Sequence, residues 1–278
     1  MLKWRSHIAL TFSIISRHFK YFFNDEEFIR GLKEGLIEVD EKSDLIAYAD
    51  RGAIYWYKTP HHSPTSKKFA KYYAYLSLYF LRNGAQFMAG KMLGRALHYV
   101  QDMSISPKAI LQHTLIEDIV DALIAKGVPR VQPTNEDIDE IVSVRGSRDA
   151  EDAVRIAAEK TYALLSWFES ESSKDVDVAE TLGKLRRVEI AKRVASILIT
   201  IGFLWFLDHT FLQLLGGLFE VIRRLFDPST WYAALIILLI IAGVCYVITS
   251  PIRGLRTKAH WDAFKAGLSK LEVDGALY

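Results

Sequence analysis

The chain has 278 residues, enough for one large domain or a domain with an appendage. Hydrophobic residues make up 50% of it and mean hydropathy is +0.10, high for a purely soluble protein. A formal net charge of +2 gives no whole-chain case for nucleic-acid binding, and a single cysteine, Cys245, excludes an intrachain disulfide.

The first stretch, MLKWRSHIALTFSIISRHFKYFF, has the charge and apolarity of a signal peptide. Thr11, Ser13, Ser16 and Arg17 interrupt its apolar run, and no small-residue cleavage site follows. It is expected to be the first core helix, residues 6 to about 23, with Ser6 as N-cap and His7 in its first turn. Asn24-Asp25 then caps a second helix, EEFIRGLKEG, followed by the segment Gly35 to Asp40. Residues 44 to 57 are compatible with helix or a short extended piece. Pro60 and Pro64 bracket a loop holding His61 and His62. A tyrosine-rich helix, Ser66 to Phe80, ends at Asn83-Gly84; most of its rings are expected in the core.

The next two helices carry the most chemistry. His98 and Asp102 stand four apart, and so do His113 and Glu117. On a helix that spacing puts each pair on one face, about a turn apart. Pro107 breaks the chain between the pairs, so two antiparallel helices can aim all four side chains into one cleft. Imidazole with carboxylate is a ligand set that suits zinc. A single such pair is usually a surface pair or a capped core histidine, and it is the occurrence of two within one predicted helical hairpin that favours a metal site.

After Gly127 the chain turns polar, with Pro129, Pro133 and a short acidic helix, then an amphipathic helix over 149–170. No glycine-rich phosphate loop and no internal repeat is present. The last third is membrane-like: apolar stretches at about 194–219 and 232–249 are long enough to span a bilayer. Asp208-His209 interrupts the first. Lys184, Arg186, Arg187, Lys192 and Arg193 precede the spans, and Arg253, Arg256 and Lys258 follow them. Only Arg223 and Arg224 lie between, so the basic bias puts both outer flanks, and the N-terminal domain, in the cytoplasm. The expected organisation is an all-α domain over residues 1–180 and a membrane hairpin with a short tail over 181–278.

Five blocks resemble the zinc-dependent phospholipase C family, whose all-helical fold is shared with S1/P1-type nucleases. They are Ser6-His7-Ile8-Ala9, Glu34 to Asp40 (with Val39 where the family has proline), Pro60-His61-His62, Leu93-Gly94-Arg95-Ala96-Leu97-His98-Tyr99-Val100-Gln101-Asp102, and His113 to Glu117. The resemblance spans roughly residues 5–170. It implies one to three zinc ions: one bound by Asp40, His98, Asp102 and one of His61 and His62, a second by His113 and Glu117, and a third by His7 with Asp102 bridging. It also implies hydrolysis of a phosphoester by metal-activated water, with Asp40 orienting or deprotonating that water. The stretch Ser106-Pro107-Lys108-Ala109 lacks the histidine that completes the family's second site, and Trp4 is internal where secreted members use a free amine. The expected activity is therefore a membrane-anchored phosphodiesterase acting on a phospholipid or other membrane-borne phosphoester, with no nucleic-acid partner. A metal-binding scaffold without turnover and a nuclease or phosphomonoesterase are the alternatives.

Overall fold

The computed structural model describes residues 3–42, 44–50, 53–58, 64–106, 110–215, 254–255 and 257–268. The chain divides into two units, one of Met1–Val176 with Phe264–Tyr278, the other of Asp177–Ala263.

The first unit is a helical assembly, as the sequence predicts, with one added β-hairpin. Helix α1 spans Trp4–His18 and starts two residues before the expected Ser6 cap; Lys3 takes the N-cap position without a side-chain bond. It stops at Phe19, whose ring packs on Phe23 and Tyr162. Helix α2, Glu26–Glu41, is capped by Asp25, whose carboxylate accepts from the Phe28 amide at 2.8 Å. It runs through Gly35, where the sequence suggests a stop, and carries Glu38 and Asp40 in its last turns. The residues left open between helix and extended form strands β1, Leu45–Asp50, and β2, Ala53–Lys58, paired antiparallel with Leu45 opposite Lys58. Helix α3 covers Pro64–Arg82 and ends at Gly84, whose φ of 73° is the left-handed conformation glycine tolerates.

Helix α4, Gln86–Asp102, is the centre of the unit. Every residue from Met92 to Asp102 is buried, so it packs on all sides instead of presenting one apolar stripe. It lies against α2 with almost no side chain between the backbones: a Cβ added at Gly35 would meet the Lys91 carbonyl at 2.0 Å, and one at Gly94 the Leu32 carbonyl at 2.3 Å. That contact is why Gly35 does not end α2. Helix α5 covers Ile110–Lys126, α6 Ile138–Val142 and α7 Ala150–Ser173. Asp137 caps α6 and Asp149 caps α7. Phe28, Leu32 and Leu36 of α2, Leu93 and Leu97 of α4, Leu10 and Ile14 of α1, and Phe168 of α7 form the buried core. Tyr72, Tyr73 and Tyr75 of α3 are buried, in line with their expected core role.

In the second unit, α8 covers Val178–Leu215 and takes in residues 194–215 of the first predicted span. It exposes Ile190, Val194, Ile197, Leu198 and Ile201. Among the described residues no helix is long and apolar enough to cross a membrane. The side chains of 203–215, with Asp208 and His209, and the whole predicted span at 232–249 lie outside the described residues. His260 is half-buried and bonded to Glu189 at 2.8 Å.

Candidate metal centre

Three helices bring four of the predicted residues to one point. His7 comes from the first turn of α1, Asp40 from the last turn of α2, and His98 and Asp102 from one face of α4. His98 Nε2 stands 3.4 Å from Asp40 Oδ1 and 3.3 Å from Asp102 Oδ2. His7 Nε2 stands 3.4 Å from Asp102 Oδ1. The two imidazoles stack with centroids 4.1 Å apart and planes 21° from parallel. His7, His98 and Asp102 have fully buried side chains, whereas Asp40 keeps 19% exposure and is the one of the four that solvent reaches.

Each ring is held by its other nitrogen. His98 Nδ1 donates to the Leu36 carbonyl at 2.8 Å. His7 Nδ1 donates to Gln101 Oε1 at 2.7 Å, while Gln101 Nε2 donates to Thr11 Oγ1 and Thr161 Oγ1, each at 2.9 Å. With Nδ1 carrying the proton, His7 Nε2 turns a lone pair toward Asp102, whereas in the metal-free protein His98 Nε2 keeps a second proton and donates it to the carboxylates. Among the described residues, His7 Nε2 has no hydrogen-bond partner. Lone pairs facing anionic oxygens in a dry interior repel unless a cation lies between them. Burial alone lowers the pKa of His98, but Asp102 and then Asp40 outweigh it and push the value up to about 10. Without a metal the positive charge between the carboxylates is therefore the His98 proton, which a bound cation would replace.

A divalent ion fits that place. The candidate ligand atoms of His7, Asp40 and His98 all lie within 4.8 Å of one another. A tetrahedral shell with bonds of about 2.0–2.1 Å has edges of about 3.3 Å, close to the 3.3–3.4 Å spacings between the Nε2 and carboxylate atoms. Imidazole nitrogens whose Nδ1–H is fixed by a carbonyl are the usual form of a histidine ligand. The buried His7, Asp40 and His98 group can hold a metal ion.

The remaining predicted ligands are placed less fully. Glu117 is buried on α5. His113 lies on the same helix, but its side chain is outside the described residues, as are His61 and His62 altogether.

Beside the centre runs a second polar network absent from the sequence reading. The Arg95 guanidinium bonds Glu38 at 2.9 Å and Asp44 at 2.8 Å and lies over the Tyr73 ring. Asp44 also accepts from the Tyr73 hydroxyl, and from Tyr99 at 2.5 Å. Burial, reinforced by the Asp44 charge, raises both phenols above the ordinary tyrosine value, so they remain donors. Burial works against the Glu38 charge, but Lys91 and Arg95 outweigh it and hold that carboxyl below its usual value. Arg95 therefore grips residues two before and four after Asp40, at the end of α2 where a helix otherwise frays. The signal for this network is in the sequence: Arg95, His98, Gln101 and Asp102 interrupt the otherwise apolar run from Met92 to Asp102, and a buried polar side chain requires a partner.

No family model, curated protein or solved structure matches this chain.

Proposed function

We propose that this protein is a membrane-associated, zinc-dependent phosphoester hydrolase whose centre is His7, Asp40, His98 and Asp102. The observation that carries the reading is the pair of buried histidines whose Nε2 atoms stand 3.3–3.4 Å from the Asp40 and Asp102 carboxylates. The motif order resembling the zinc-dependent phospholipase C family supports the reaction class. The apolar stretches at about 194–219 and 232–249 support a membrane-borne substrate, a phospholipid before a soluble phosphoester.

A zinc ion supplies Lewis acidity, lowering the pKa of water and polarising a phosphoryl oxygen. The chain does the rest. Leu36 and Gln101 fix the two imidazoles, so that no ring reorients as charge builds. Burial of His98 and Asp102 excludes bulk water, which strengthens every charge interaction within the site. Asp40, open to solvent and with a second carboxylate oxygen, orients an attacking water and accepts its proton.

The test is hydrolysis by the full chain in detergent, offered in parallel a phosphatidylcholine headgroup ester, an aryl phosphate monoester and single-stranded DNA. The account expects cleavage of the lipid ester, abolished by chelation, restored by zinc, and lost in Asp40→Asn. Preferential cleavage of DNA or of the monoester would move the protein to a nuclease or phosphatase role on the same centre. Zinc bound without turnover of any substrate would leave a metal-binding module.

A further inference from the structure

We propose that Gln101 is a positioning residue that sets the tautomer of His7. This rests on reading the four-residue centre as a metal site. Gln101 is fully buried on α4, next to Asp102 in sequence. Its side chain does not point at the carboxylates. It bridges three helices, bonding His7 and Thr11 of α1 and Thr161 of α7 from its place on α4.

The amide has two donors and one acceptor group. Thr11 Oγ1 and Thr161 Oγ1 take both donors, at 2.9 Å each. Only the carbonyl oxygen then faces His7, and at 2.7 Å it accepts Nδ1–H. The proton is thereby kept on Nδ1, and Nε2 turns its lone pair to Asp102 Oδ1 at 3.4 Å. Without that acceptor the lower-energy arrangement of a metal-free ring reverses: the proton moves to Nε2, donates to Asp102, and blocks the nitrogen a metal would use. Thr11 and Thr161, which touch no ligand of the centre in the described contacts, thus act on it through one amide. A neutral glutamine holds the ring without adding a third negative charge to a site that already has two carboxylates.

The experiment has two readouts on the full-length chain in detergent. Proton–nitrogen correlation spectra of the histidine rings in metal-free protein locate the His7 proton. Competition with a chromophoric chelator gives zinc affinity, using zinc alone. The wild type is expected to carry the His7 proton on Nδ1 with and without zinc. Gln101→Glu, which keeps the acceptor, is expected to do the same. Gln101→Met, of similar shape but with no acceptor, moves the proton to Nε2 in the metal-free protein and weakens zinc about 10- to 100-fold. Thr11→Val with Thr161→Val, which spares both His7 and Gln101, releases the amide to flip and gives the same change in direction. If Gln101→Met and the threonine pair both retain an Nδ1 proton and wild-type zinc affinity, the inference is overturned. If the wild type holds the Nδ1 proton through Gln101 but takes up no zinc, the positioning stands and the metal reading fails.

Discussion

Gly94→Ala is the sharpest single perturbation of this account. The added methyl would sit 2.3 Å from the Leu32 carbonyl oxygen and 2.8 Å from the Leu36 amide nitrogen. Both are backbone atoms of α2, so no side-chain rotation relieves the clash. Restoring ordinary contact requires α2 and α4 to part by about 1 Å, a strain at the upper end of the ~1–3 kcal/mol range for overpacking. Alanine returns about 1 kcal/mol through its better helix propensity, so the net loss is about 2 kcal/mol. The same movement carries the Leu36 carbonyl away from His98 Nδ1, now 2.8 Å apart. At roughly 3.8 Å no hydrogen bond remains, and loss of such a partner weakens metal binding about 10- to 100-fold. Urea unfolding and chelator competition read the two effects separately. Unchanged stability together with unchanged zinc affinity in Gly94→Ala would refute the close α2–α4 contact and its coupling to the centre.

Other outcomes follow from the same contacts. Gly183→Ala on α8, where an added methyl meets nothing within 4 Å, is expected to stabilise the helix by about 0.5–1 kcal/mol, seen as slower amide exchange around residue 183. Arg95→Met leaves Asp44 and Glu38 without their shared guanidinium; Lys91 still faces Glu38 at 3.0 Å, so the loss in urea unfolding should fall near the low end of ~3–5 kcal/mol. The metal-free protein should lose stability as pH rises. The folded pKa of His98, about 10, lies above the ordinary value of 6.5, so its stabilisation is complete below pH 6.5 and disappears by about pH 10. The loss is on the order of a few kcal/mol. Zinc-loaded protein should not show this slope, because the imidazole nitrogen is then occupied, and melting curves across that pH range compare the two.

Much of the centre was legible from spacing. The four-residue interval of His98 and Asp102 dictates a shared helix face whatever the fold, and α4 delivers it. Bringing His7 and Asp40 to that face is a tertiary event. Composition carries no sign of it, and only the order of motif blocks linked those residues. Gly35 misled for a physical reason: in isolation glycine favours a helix end, but here the missing side chain lets α2 touch the α4 backbone, and tertiary contact overrides propensity. Strands β1 and β2 were ambiguous because the run IAYADRGAIYWY is short and apolar enough for either periodicity. Asp44 and Tyr99 looked ordinary in sequence, since their roles depend on Arg95 arriving from another helix.

The central claim is that His7, Asp40, His98 and Asp102 hold a metal ion, and the most direct measurement is metal content. Elemental mass spectrometry of the purified, detergent-solubilised full chain, beside His7→Ala and His98→Ala, counts it. The account predicts at least one zinc per chain, lost in His98→Ala and weakened in His7→Ala, with both variants still folded. A wild-type chain that retains no transition metal after dialysis, and gains none when zinc is supplied, would contradict it.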